Sequence, residues 1–138
     1  MNIPDYPPKF ETDLVRPFYE GLARSELLMS SCSACGTFHW YPPDVLPCHP
    51  EAPIAWRPIS PLGTVYTFTR IERSVLPGGA GGNTPYTIVL VEPDDAPFAR
   101  IPGLFVAADP REPECGLRVR LNPLPVSDHI VAGFAPID

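Results

Sequence analysis

The chain has 138 residues, room for one ordinary domain or two very small units sharing a core, and 44% are hydrophobic, which argues against disorder. Proline occurs 21 times and lysine once, at Lys9, a composition that favours short strands and long connections over a helical bundle. A formal net charge of −6 argues against non-specific binding to nucleic acid or anionic membrane.

No run approaches the roughly 18 apolar residues that span a bilayer. Met1 to Phe10 lacks the basic-then-apolar pattern of a secretory signal. Four cysteines are present, three of them in a metal-like pattern, so a cytoplasmic protein with reduced thiols is expected rather than a disulfide scaffold.

In chain order, residues 1–11 are broken by proline and read as extended or mobile. A helix is predicted from a cap at Thr12 or Asp13 to about Ser25, with Leu14, Phe18 and Leu22 on one face and Pro17 near its start. That apolar stripe either packs on the chain's own barrel or docks a partner. Leu27-Leu28-Met29 then leads into Cys32-Ser33-Ala34-Cys35-Gly36, and Thr37 to Tyr41 leaves it, forming a short hairpin with cysteines at its tip. A second knuckle begins at Cys48-His49-Pro50-Glu51, with Glu51 where a fourth thiolate is expected. Either Cys32, Cys35 and Cys48 bind zinc with Glu51, His49, His39 or water as the fourth ligand, or the ribbon has lost its metal and Phe38, Trp40 and Trp56 hold it. An occupied site would be structural.

From Thr64 to Ile71 the period becomes two, with Val65, Thr67 and Thr69 on one face and Tyr66 and Phe68 on the other. The run Gly78 to Asn83 lacks the lysine and following helix of a phosphate cradle and reads as a strand connection, with a lid over a ligand channel as a further possibility. Further strands are predicted at Tyr86–Val91, Ala99–Ile101, Leu104–Val106, Leu117–Leu121 and Ile130–Phe134. Short strands with glycine-marked bends imply a small Greek-key barrel, with the OB-fold as leading candidate. The chain thus divides into an N-terminal extension and helix (1–29), a ribbon segment (30–57) and a barrel (58–138).

These pieces resemble a known family. Phe18-Tyr19-Glu20-Gly21-Leu22, the Cys32 knuckle, Tyr41-Pro42-Pro43, Pro47-Cys48, Trp56, Gly63 to Thr69, Pro85-Tyr86 and Phe134-Ala135-Pro136 occur in the order seen in proteins that join a rubredoxin-like zinc ribbon to an OB-fold and accompany acyl-CoA enzymes. The resemblance covers nearly the whole chain; Glu51 departs from the family's fourth cysteine. It implies a mainly β protein that works as a non-catalytic subunit beside thiolases, aldolases or MaoC-type hydratases. Such a subunit docks on the catalytic chain and shapes the channel for the CoA thioester.

Other features are weighed against that expectation. Tyr66, Phe68 and Tyr86 serve either as a stacking platform for single-stranded bases or as core and interface residues, and the acidic balance favours the second use. A nucleic-acid-binding ribbon and barrel is the alternative function. Arg100, Arg118 and Arg120 meet CoA phosphates, an acidic partner or solvent. Cys115 and the Asp128-His129 pair lack the context of a nucleophile and base, so no independent catalysis is expected. The partner-facing candidates are therefore Phe18, Leu22, Tyr66, Phe68, Arg100 and Arg118.

Overall fold

A computed structural model describes residues 12–73, 84–109 and 111–137; the proline-broken start and the glycine run Gly78 to Asn83 lie outside the described residues. Among the described residues one helix, α1 (Arg16–Ala23), precedes nine strands. It starts later than predicted. Pro17 has no N–H and its ring clashes with the carbonyl four residues back, so it must fall in the first turn; the preceding residues form a separate turn in which Val15 and Arg16 donate to the Thr12 carbonyl. The far end is closed by Ser25 in the left-handed region (φ 60°), with Ser25 N–H donating to Leu22 O and Glu26 N–H to Gly21 O.

Strand β1 (Leu27–Cys32), every residue of which is buried, pairs antiparallel with β2 (Ile54–Ile59) from Leu27↔Ile59 to Cys32↔Ile54. The prolines around β2 mask it in the sequence, yet Pro58 is accommodated because β2 pairs with β1 alone and is an edge strand. On β1's other side the predicted hairpin returns: Thr37 O accepts from Cys32 N–H, His39 N–H donates to Ser30 O, and Phe38 bridges Ser31.

The barrel comprises β3 (Leu62–Ile71), β4 (Tyr86–Pro93), β5 (Ile101–Phe105), β6 (Arg118–Leu121) and, after a β7 (Leu124–Val126) and β8 (His129–Val131) hairpin, β9 (Gly133–Pro136). It closes in the order β3-β4-β5-β9-β6, with β6 returning to β3. Every pairing is antiparallel except β5 with β9. This is a five-stranded OB barrel. Its interior is filled by Val65, Val89, Val91, Ile101, Val119 and Phe134, each at most 1% exposed. Two sequence segments, Ala99–Ile101 and Leu104–Val106, prove to be one strand, and Ile130–Phe134 divides into the end of the hairpin and the start of β9. Gly133 makes that division possible: a Cβ there would lie 2.4 Å from the Asn122 carbonyl oxygen.

The strict alternation expected for β3 is broken. A bulge between Val65 and Thr67 leaves Tyr66 without a partner on β4, and beyond it Phe68 pairs with Val89 and Thr67 with Leu90. Cross-strand partners share a face, so Phe68 joins Val65 on the barrel's inner face, near its mouth, while Thr67 and Thr69 turn outward. One extra residue inverts everything after it.

Candidate metal centre and apolar groove

The first knuckle is built on the end of β1. Gly36 adopts φ +77°, its N–H donates to Cys32 O at 2.7 Å, and Ala34 N–H donates to Cys32 Sγ at 3.3 Å. Arg57 on β2 donates to Gly36 O at 2.7 Å while its guanidinium lies 4.3 Å above the Phe38 ring, pinning the turn from beneath. The second arm is anchored by Leu46, 1% exposed, and tied back by Ser33, whose hydroxyl donates to Pro53 O at 2.7 Å.

These turns bring Cys32, Cys35, Cys48 and His49 together, with donor atoms all within 4.8 Å of one another. Glu51 is exposed and stands outside that group. Zinc–sulfur bonds of about 2.3 Å and zinc–nitrogen bonds of about 2.0 Å in a tetrahedron imply S–S edges of about 3.8 Å and S–N edges of about 3.5 Å. The Cys35–Cys48 sulfurs are 3.7 Å apart and Cys32 Sγ is 3.5 Å from His49 Nδ1. The donor set fits zinc. His39 Nε2 also approaches, 3.4 Å from Cys48 Sγ.

Electrostatics agree with a cation site. Thr37, through its hydroxyl and its backbone, holds the Cys35 thiol down at about 6. Desolvation, then the neighbouring Cys32 and Cys35 sulfurs, push Cys48 up to about 11. One thiolate forms readily and the next resists until a positive charge compensates it.

The second feature is an apolar groove of about 650 Å³ where helix, ribbon, barrel wall and β7–β8 hairpin converge. Phe18 and Tyr19 come from α1, Trp40 and Tyr41 from the ribbon, Ile88 and Leu104 from the barrel, and Val126 and Val131 from the hairpin. Trp40 joins the parts: its indole N–H donates to Arg100 O at 3.2 Å, and its ring sits 5.2 Å from Phe18 and 5.5 Å from Tyr41. Burial, then the nearby Tyr41, raise the Tyr19 pKa above the usual tyrosine value, so that hydroxyl stays protonated.

The partner-facing candidates are scattered. Leu22 is 1% exposed and holds α1 to the core, whereas Phe18 both packs on that core and lines the groove. Tyr66 and Phe68 are exposed, Tyr66 beneath the Arg100 guanidinium at 4.0 Å. Arg100 lines the groove but donates to Pro97 O and Ala99 O and lies 3.7 Å from Glu92. Arg118 forms a two-pronged pair with Asp94, 2.7 Å at each oxygen, and also donates to Thr64 Oγ1 at 2.9 Å. Cys115 is exposed and is not part of the metal-ligand group. The groove itself was not legible, since five separated segments build it.

The architecture defines a ribbon-and-barrel protein with a Cys3His metal-ligand group. Residues 20–51 match the ChsH2 rubredoxin-like zinc ribbon domain and residues 56–122 the ChsH2 C-terminal OB-fold domain. The chain belongs to the family built from these two ChsH2 domains. Among solved structures it is similar to one described as an Ltp2–ChsH2(DUF35) aldolase, with 21% identity and a TM-score of 0.77 over 94% of this chain and 98% of that one. It is also similar to a DUF35-family protein of unknown function from Sulfolobus solfataricus, with 14% identity and a TM-score of 0.59 over 94% and 89%. At these identities the likeness concerns the fold. Comparison with curated proteins gave no significant match. No helix among the described residues is long and apolar enough to cross a membrane.

Proposed function

We propose that this chain is a non-catalytic accessory subunit of an acyl-CoA enzyme, docking on a thiolase-like or aldolase-type catalytic chain and shaping the channel for the thioester. One observation carries this: an open groove whose described lining is apolar apart from Arg100 and the tyrosines Tyr19, Tyr41 and Tyr86, with no serine, cysteine, histidine or carboxylate among those residues. Such a surface is suited to holding and orienting an apolar group for chemistry done by another chain. Its volume falls in the range of about 300–1,000 Å³ typical of small-molecule clefts. The neighbour described as an Ltp2–ChsH2(DUF35) aldolase supports pairing with a catalytic chain.

In this reading the acyl portion of the thioester lies in the groove, while Tyr66, Phe68 and the exposed Tyr41 face the partner. Cys32, Cys35, Cys48 and His49 hold zinc as a closed, structural centre that ties the two knuckles of the ribbon together, consistent with reduced thiols in the cytoplasm. Nucleic-acid binding is not favoured, because Arg70, Arg100 and Arg118 each face carboxylates of their own chain.

The test is co-expression with a candidate catalytic subunit, followed by co-purification and acyl-CoA kinetics. A stable complex is expected, with no thioester turnover by the isolated chain and reduced kcat/KM when Leu90→Arg places a charge in the groove. Recovery of a lone monomer, or a variant complex with unaltered kinetics, would refute the proposal.

A further inference from the structure

The metal-ligand group has more potential donors than a tetrahedral ion needs. Cys32, Cys35, Cys48 and His49 converge mutually, while His39 Nε2 stands outside the group, 3.4 Å from Cys48 alone of its sulfurs. Three thiolates and a neutral imidazole around a dication leave one excess negative charge, which N–H and O–H donors to sulfur disperse. Two of the sulfurs have a partner within the first knuckle: Ala34 N–H donates to Cys32 Sγ at 3.3 Å, and the Cys35 thiol donates to Thr37 Oγ1 at 3.2 Å, a hydroxyl that can turn its own proton to the sulfur once the thiol is ionised.

The second knuckle is deprived of the equivalent donor by its sequence. Ala34 stands two residues after Cys32; the residue two after Cys48 is Pro50, which has no N–H. His39 reaches the sulfur left in that position. Its backbone is fixed for the task by buried Ser30, whose carbonyl accepts from His39 N–H at 2.9 Å and whose hydroxyl donates to His39 O.

We infer that His39 is a positioning residue of the metal centre, donating its Nε2–H to the Cys48 thiolate from outside the coordination shell in place of the backbone N–H that Pro50 lacks. The inference rests on metal occupancy of the ribbon but not on the accessory-subunit function. His39 is thereby distinguished from His49, which supplies the fourth ligand.

The full chain is loaded with cobalt(II), a tetrahedral probe with visible bands, and challenged with a chelator. His39→Ala is expected to keep the wild-type three-sulfur, one-nitrogen d–d spectrum but to lose the metal about 10–100-fold more readily. His39→Gln, which retains an N–H donor, should restore much of the retention. So should Pro50→Ala in the His39→Ala background, by returning a backbone N–H to the knuckle. His49→Ala, in contrast, should change the spectrum itself. The inference is overturned if His39→Ala changes the bands as His49→Ala does, which would make His39 a ligand. Unaltered retention in His39→Ala, equal loss in His39→Gln and His39→Ala, or failure of the wild-type chain to take up cobalt would also overturn it. Circular dichroism at saturating metal follows folding; should His39→Ala not fold, the His39→Gln result decides.

Discussion

Replacing Trp40 by phenylalanine tests whether ribbon and barrel are held as one body through the groove wall. The change removes the indole N–H that donates to Arg100 O at 3.2 Å, while retaining an aromatic ring beside Phe18. A neutral hydrogen bond contributes about 1 kcal/mol net. Loss of about 40 Å² of apolar contact, at about 25 cal/mol per Å², adds about 1 kcal/mol. The expected destabilisation is about 2 kcal/mol. For 138 residues at about 2.1 cal/mol/K each, the midpoint falls by about 7 °C. Urea and thermal unfolding followed by circular dichroism would measure it. A separate double-mutant cycle of Trp40→Leu with Phe18→Leu, which does remove the ring pair, should show coupling of about 0.5–1.5 kcal/mol. A loss below about 0.5 kcal/mol with no coupling would refute the claim that Trp40 joins the two parts.

Zinc removal by a chelator should lower the unfolding midpoint, with elemental analysis giving one zinc per chain before treatment and none after. In the stripped protein Cys35 should be the thiol alkylated fastest, its rate rising around pH 6, and zinc should protect it; mass spectrometry of iodoacetamide adducts reads this. The hydrogen bond and charge of Arg118 depress the Asp94 pKa, so their contribution is complete above the unfolded carboxylate value of about 3.9 and is lost as pH falls through the lower folded one. Wild type and Asp94→Asn should therefore differ by a small constant margin above about pH 5, closing in acid, when denaturation is followed from pH 7 to pH 2. Gly133→Ala forces a methyl to within 2.4 Å of the Asn122 carbonyl and should cost about 1–3 kcal/mol in the same unfolding assay.

The sequence disclosed most of this fold through local chemistry. Knuckle spacing marked the ribbon, and the alternation in Leu117 to Leu121 correctly set Val119 and Leu121 inside and Arg118 and Arg120 outside. It misled where a single residue changes a periodic count. The extra residue at Tyr66 moved Phe68 to the inner face, and Pro58 disguised an edge strand. The three cysteines of the metal-ligand group were legible because their spacing is itself the signal, and His49 was adjacent to one of them. The groove was hidden because its lining is dispersed from Val15 to Ala132, with no periodicity that would link those residues in advance.

The closed ring of β3, β4, β5, β9 and β6 has one further consequence. Beyond Val65 β3 pairs with β4 alone, but over the paired spans of the ring each strand is flanked on both sides and offers no row of free amides and carbonyls onto which a foreign polypeptide could zip. Recognition there must be written in side chains alone. Exchanging a few outward-facing residues could then redirect the barrel to a different companion without disturbing the hydrogen-bonded hoop that supports them.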